Sequence, residues 1–501
     1  MPLPASANAL EGPNCLCRRY EHSSTFGVVV SSASNSVWSP DPPPTITTTT
    51  TKKTTSGGRA IVPANEEVLT WDIKKGELLS RWRDPKCQSE VASILQSRTD
   101  KDVFAVGYSD GSIRLWDSKT STVVISFNGH RSAVSTLAFD DTGTRLASGS
   151  KDAHIIVWDL IAEVGMYRLK GHKDQITRLA FLKGPEEEDT SPGGWLISTG
   201  KDTLIKLWDL STQHCVETHV AHQGECWTMA LSPDGQGCIT AGNGGEMKVW
   251  AIDTANLSSR ASGGSDCLID RGTLYRQNRD KATSVTFHPS SNFFASHGAD
   301  RSVEIWRIRT EDEVKKALKR KRKRKEGKAE KASGEPVEAK PDSISNAEVG
   351  DIFVSYVTLR TGGRVRSVDW ATRSGSKNAV QLLVACTNNS LELYDIQRPS
   401  RKEGKSADVP EYNRLYAIEL PGHRTDIRAL ALSSDDRMLA SASSGLLKIW
   451  NVRTSACIRT FECGYALACS FLPGDKIVGY PFPIQEKKAG MVSSMLNYRS
   501  L

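Results

Sequence analysis

His130, Ser148 and Asp152 follow one another in this chain, and His172, Ser198 and Asp202 repeat the order 42 to 50 residues on. A base, a nucleophile and an acid are the residue types of acyl-transfer catalysis. Such chemistry also needs a strained nucleophile elbow and donors for an oxyanion. Neither serine has them, since Ser148 sits in "LASGSKD" and Ser198 in "WLISTGKD". Each set also ends on a tryptophan six residues after its aspartate, Trp158 and Trp208. A set written twice with the same close is a structural device, not an active site. His222, Cys226 and Trp227, in "AHQGECWTM", fall at equivalent positions and are read as packing residues.

A second cluster is electrostatic. From Lys315 to Lys331 ("KKALKRKRKRKEGKAEK") eleven Lys or Arg face two Glu, a local charge of +9 against +7 for the whole chain. The rest of the protein is therefore close to neutral, and any polyanion contact is local. Lys315, Lys316, Lys319, Arg320, Lys321, Arg322, Lys323, Arg324 and Lys325 form its densest part. Strong helix formers surround them and no proline intervenes before Pro336, so an exposed helix is expected. Such a strip suits a nuclear import signal and a contact with RNA phosphates. No aromatic interleaves it, so base stacking is not indicated.

Other chemistries lack their residues. "GPEEEDTSPGG" has no terminal Gly-Lys-Ser/Thr and is no phosphate-binding loop. Eleven scattered cysteines include no CxxC pair, which argues against a disulfide framework and a common zinc site and favours a reducing compartment. No metal, cofactor or small-molecule substrate is expected, no enzymatic activity, and no membrane-spanning segment.

What positions the recurring residues is a repeat. "GSIRLWDS", "AHIIVWDL" and "TLIKLWDL" close on Trp116, Trp158 and Trp208. Weaker copies close on Trp71, Trp250, Trp306, Tyr394 and Trp450. Successive closes from Trp71 to Trp250 lie 45, 42, 50 and 42 residues apart. Asp110, Asp152, Asp202 and Asp300 each stand six residues before a close, in tight turns where a carboxylate accepts backbone N–H groups. Upstream lie Gly129-His130, Gly171-His172, Ala221-His222 and Gly422-His423. This period and its punctuation resemble the WD-repeat family, four-stranded blades set around a channel. The resemblance implies that His, Ser, Asp and Trp form a buried hydrogen-bonded chain within each blade.

The fold expected is all-β: a seven-bladed WD-repeat propeller closed by Trp71 through Tyr394, plus the incomplete start of a second propeller, with a single eight-bladed ring as the alternative. The Trp-Asp close marks the third strand of each blade. Gly-His loops and Asp turns then open on one face, and all long inserts on the other: 39–58, 183–194, 254–270 and 311–350. Residues 1–17 are expected to be disordered, 18–396 to form the propeller, 397–411 a linker and 412–477 the beginning of the second propeller. Residues 478–501 lack strand alternation and a Trp-Asp close. They read as a tail foreign to the fold, as a misread exon boundary would produce, on a natural product that continues.

"RAIVPANEEVLTWDIKKGELLSRW", "GTRLASGSKDAHIIVWDLIAEVGMYRLKGHKDQITRLAFL" and "RTFECGYALACSFLPGDK" go beyond a generic repeat. They resemble the tandem-propeller WD-repeat subunit of the UTP-B subcomplex of the small-subunit processome, over roughly residues 18–476. The resemblance implies a non-enzymatic scaffold of the nucleus and nucleolus. Its expected partners are other UTP-B WD-repeat subunits, pre-rRNA and the processome containing guide snoRNA, and its role supports pre-rRNA processing and small-subunit assembly. The family's C-terminal helical domain has no counterpart here. A propeller that receives a peptide substrate, for example in a ubiquitin ligase, is the rival reading, though no adaptor motif accompanies it.

Overall fold

The computed structural model describes residues 28–30, 35–40, 58–182, 194–257, 266–333, 347–372, 379–398, 410–419, 422–472 and 476–481. They divide into two compact units.

The larger unit, residues 29–84 and 89–425, holds seven four-stranded antiparallel sheets, each a meander in chain order. They span residues 37–82, 91–128, 134–170, 176–220, 228–275, 284–360 and 365–419, and are blades 1 to 7 below. Strand character changes from centre to rim. Strands such as Arg145–Ser150 and His154–Asp159 are buried almost throughout, because neighbouring blades cover both faces. Outermost strands such as Thr122–Asn128 alternate exposed and covered residues, as expected where one face meets water.

One irregularity recurs in every blade. The pairing of third and fourth strands slips by a residue immediately before the closing aromatic, from Thr70/Trp71 to Leu393/Tyr394. Such a bulge increases local twist and re-aims the side chain at that point. Here it accompanies an indole or phenol turned into its own blade, and Trp116 and Trp208 are both 1% exposed.

The innermost strands are Val37–Ser39, Val91–Gln96, Val134–Phe139, Ile176–Leu182, Thr228–Leu231, Ser284–Phe287 and Val365–Ala371. Each contacts the next, and the seventh contacts the first, so the ring closes at seven. Blade 1 is wholly N-terminal and blade 7 wholly C-terminal, so no sheet mixes the two ends. The seam instead uses side chains. Asp369 Oδ2 accepts the Trp38 N–H at 2.6 Å, the Ser36 and Ser367 hydroxyls bond at 2.8 Å, and Asn389 Oδ1 accepts the Val29 N–H at 2.6 Å.

Several expected boundaries move. Tyr412–Glu419 is the fourth strand of blade 7, paired to Ser390–Gln397, so residues 398–411 connect two strands of one blade and the second propeller does not begin at 412. The cause is a long connection between the third and fourth strands of a blade closed by tyrosine. Ser39 lies in the first strand of blade 1, and Leu268–Asp270, expected in an insert, opens a strand, Leu268–Tyr275. Within 311–350, Glu311–Ser333 is an α-helix (α1) and Val349–Ile352 a short one (α2). Residues 1–27, most of 39–58, 183–193 and 482–501 lie outside the described residues.

The second unit carries the sheet of Ile427–Leu432, Met438–Asn451, Cys457–Leu472 and Lys476–Pro481. Trp450 Nε1 donates to Ser441 Oγ at 2.7 Å, nine residues earlier in one strand element. Fully extended, nine residues would span roughly 30 Å, so the element folds back on itself, through Gly445 at φ +90°. The indole-to-hydroxyl contact of the blade motif is thus formed here as well. Lys476–Pro481 pairs with Ala466–Leu472, so the strand pattern runs past residue 478, into the stretch read as foreign.

Candidate functional site

The recurring His, Ser, Asp and Trp meet in both complete sets. In blade 3, His130 Nε2 lies 2.8 Å from Ser148 Oγ, His130 Nδ1 lies 3.1 Å from Asp152 Oδ2, and Trp158 Nε1 donates to Ser148 Oγ at 2.8 Å. In blade 4 the same contacts for His172, Ser198, Asp202 and Trp208 measure 2.7, 2.9 and 2.8 Å. The carboxylate requires a proton on Nδ1, so Nε2 accepts the serine O–H while the serine oxygen accepts the indole N–H. Both serines are fully buried, with donor and acceptor capacity engaged inside the blade. That geometry ties the inner loop, second strand, turn and third strand together, and presents no nucleophile to a substrate.

Electrostatics fit the same role. Burial alone would raise the Asp152 carboxyl, but N–H groups of Arg131 and His154 and the His130 imidazole outweigh it and hold it low. Asp202 is lowered likewise by His172 and Lys173. Burial pushes His130 down against the pull of Asp152. The residue after Asp110, Asp152 and Asp202 is left-handed, with Gly111 at φ +89°, Ala153 at +64° and Thr203 at +71°. A Cβ on Gly111 would also stand 2.6 Å from the His130 carbonyl oxygen.

Blades that depart from the pattern show its cost. Blade 5 has Asn243-Gly244 at its turn, leaving His222 without a carboxylate, and burial takes that imidazole down to about 4. Blade 1 has Val62 where blades 3 to 6 place a hydroxyl, and Trp71 Nε1 is buried without a partner.

The basic tract lies on α1, between the third and fourth strands of blade 6. Thr310 and Glu313 make half a capping box, Glu313 Oε2 accepting the Thr310 N–H at 3.2 Å. Glu311, Asp312 and Glu313 fill the first turn, where carboxylates complement the helix dipole. Val314 is buried and Ala317 and Leu318 partly so, which seats the first turns. Lys321 is spoken for, bonded to Glu348 at 2.9 Å and Asp351 at 3.0 Å. Lys315, Lys316, Lys319, Arg320 and Arg322 are exposed, so this half of the strip faces solvent. The side chains of Lys323, Arg324 and Lys325 lie outside the described residues.

Glu217, His219 and Asp266 stand close enough to hold a cation. Glu217, however, already accepts the N–H groups of Cys267 at 2.7 Å and Leu268 at 3.1 Å, with His219 at 3.2 Å. The cluster is a pin between blades 4 and 5. The nine free cysteines among the described residues include Cys226, whose thiol burial pushes up to about 12.

One residue assigned to packing has another aspect. Trp227 is partly exposed, with Lys201 Nζ 4.3 Å and Lys281 Nζ 3.9 Å from its ring centre. Its equivalents, found from strand register, are Ala92, Ser135, Thr177, Thr283 and Arg366. An indole in that column is the signal that aligning the repeats would have exposed.

Residues 58–252 match the family profile described as WDR3 first beta-propeller domain, and 272–307 and 415–451 match the WD domain, G-beta repeat. U3 small nucleolar RNA-associated protein 12 of Saccharomyces cerevisiae is 40% identical over 474 residues, 92% of this chain and 47% of that protein. The chain belongs to this family of WD-repeat proteins. Human WD repeat-containing protein 3 is 34% identical over 208 residues, 41% of the chain and 21% of that protein. The chain thus spans about half the length of its yeast relative, and the stretch matched to the human one is a fifth of that protein. Among solved structures, a chain of the Mitotic Checkpoint Complex superposes with a TM-score of 0.50 at 17% identity, covering 74% of this chain and 90% of that one. That likeness concerns the propeller fold alone.

Proposed function

We propose that this family member is a non-enzymatic scaffold of the nucleolar small-subunit processome, supporting pre-rRNA processing and small ribosomal subunit assembly. The observation that carries the reading is the 40% identity to a U3 small nucleolar RNA-associated protein across 92% of the chain. The buried His–Ser–Asp sets support it from the other side, because they are consumed in holding blades together. On this reading the ring presents docking surfaces to other UTP-B WD-repeat subunits. Helix α1 supplies nuclear import and an auxiliary grip on pre-rRNA or snoRNA phosphates. Each phosphate neutralised on a single strand adds about −0.7 to the slope of log affinity against log salt.

Purifying the endogenous protein through an N-terminal tag from nuclear extract tests this. Recovery of UTP-B subunits and U3 snoRNA is expected. Recovery of ubiquitin-ligase adaptors, or of neither, would overturn the assignment. Replacing Lys315, Lys316, Lys319 and Arg320 with alanine should disperse the protein from the nucleolus while leaving its thermal unfolding unchanged.

A further inference from the structure

Two blades bring cations to one aromatic on the blade between them. Lys201 comes from the turn between the second and third strands of blade 4, Trp227 immediately precedes the inner strand of blade 5, and Lys281 precedes that of blade 6. The backbone is fixed around them: Lys201 N–H donates to the Gln175 carbonyl and Trp227 N–H to that of Ala241, both at 2.9 Å, and Ala282, next to Lys281, donates to the Gly242 carbonyl at 3.3 Å. All three open on the face of short turns, away from α1. One rung inward on blade 4, opposite Thr199, stands Arg178.

These cations lack counter-charges. Among the described residues no carboxylate lies within ion-pairing distance of Lys201, Lys281 or Arg178. Elsewhere in the ring Arg145 is paired with Asp140 at 3.2 Å and Lys248 with Asp270 at 3.4 Å. Asp202, next to Lys201, is engaged by His172 and by the Lys173 N–H. Glu225 and Asp280 are near in sequence and pair with neither lysine. Burial alone depresses the Arg178 guanidinium, with no carboxylate to offset it. Two ammoniums over one indole repel each other, and Trp227 Nε1 is buried without a partner, so no hydrogen bond of the indole locks the arrangement. An arriving anion would relieve the repulsion.

We propose that Lys201, Trp227 and Lys281 bind an Asp/Glu-rich extended segment of a partner protein. In an extended chain, residues i and i+2 project to one side roughly 6.6 Å apart, which sets two carboxylates against two ammoniums sharing one ring. RNA fits less well. The indole that would stack a base is already covered by ammonium groups, and the cations converge on a point instead of tracking a backbone. This site goes beyond the scaffold reading and stands or falls independently of it.

The test is fluorescence anisotropy on the purified chain with a fluorescein-labelled Gly-Ser-Glu-Asp-Glu-Asp-Glu-Asp-Gly-Ser peptide and, in parallel, a labelled twelve-nucleotide oligouridine. The pair Lys201→Ala and Lys281→Ala should weaken peptide binding at least tenfold, and the Arg pair should restore it to within threefold. Lys315→Ala with Lys319→Ala should leave peptide binding unchanged. Should the alanine pair unfold, Lys201→Glu alone, in a chain with wild-type circular dichroism, should abolish peptide binding. No peptide binding, an unchanged affinity in the site variants, or a loss confined to oligouridine would overturn the proposal.

Discussion

Replacing Ser198 with alanine isolates the hydrogen-bonded chain of blade 4. The serine oxygen lies 2.8 Å from Trp208 Nε1 and 2.7 Å from His172 Nε2, and the residue has no exposed surface. Alanine removes about one atom of volume, so packing hardly changes, but it leaves an indole donor and an imidazole acceptor buried and unsatisfied. At about 1–3 kcal/mol for each of the two orphaned groups, the cost is about 2–6 kcal/mol. A ring this size shifts by about 1 °C per kcal/mol, so a fall of about 2–7 °C in Tm is expected, with a lower urea midpoint. Hydrogen exchange should rise first in Trp195–Gly200 and Leu204–Asp209, the strands the chain ties together. Ser198→Thr is the control, because Thr240 fills this place in blade 5, accepting from Trp250 Nε1 at 3.0 Å. A loss below about 0.5 kcal/mol for alanine, or an equal loss for threonine, would refute the reasoning.

The converse holds in blade 1, where Val62→Thr offers the orphaned Trp71 Nε1 an acceptor; an unfolding midpoint unchanged or up to about 1 kcal/mol higher is expected, against a loss if the hydroxyl finds no partner. Thr203 is β-branched at φ +71°, so Thr203→Gly should gain about 0.5–1 kcal/mol in urea titration once glycine's entropy is set against the relieved strain. Acid should act early. Burial takes His222, His288 and His297 to about 4, below the free value of 6.5, so the unfolded chain binds protons first, and stability present above pH 6.5 falls toward pH 4. Asp369, raised by burial to about 7, acts with the opposite sign between 3.8 and 7, so Asp369→Asn should steepen the acid loss seen by circular dichroism. Val314→Asp should cost about 2 kcal/mol in thermal unfolding by unseating α1, whereas removing 323–346 should not.

Trp-Asp closes at a period near 42 residues made the blades readable from sequence, because each needs one buried indole and one tight turn at fixed separation. Trp158 and Trp208 announced their hydrogen-bonded neighbours in the same way. Blade 7 was hard to bound because Tyr394 replaces the tryptophan and its fourth strand follows a long connection. Val37–Ser39 was hidden for another reason: three residues in a serine-rich stretch carry no periodicity, and their place depends on contacts with Ser367 and Asp369. Trp227 was visible, but the lysines around it were not legible as its neighbours. Its meaning lies in Lys201 and Lys281, which come from different blades and meet it only after the ring forms.

The seam between blades 1 and 7 has a consequence in time. Ser36 and Ser367 are 331 residues apart. At about 5–20 residues per second of synthesis, the first strand waits on the order of 20 to 60 s before its mate leaves the ribosome. Until then Val37 and Trp38, both buried in the finished ring, face solvent on an emerging chain. Ring closure is therefore the last event of this unit's maturation and its exposed interval. A chaperone that holds nascent chains should act on this protein through blade 1, releasing it when blade 7 arrives.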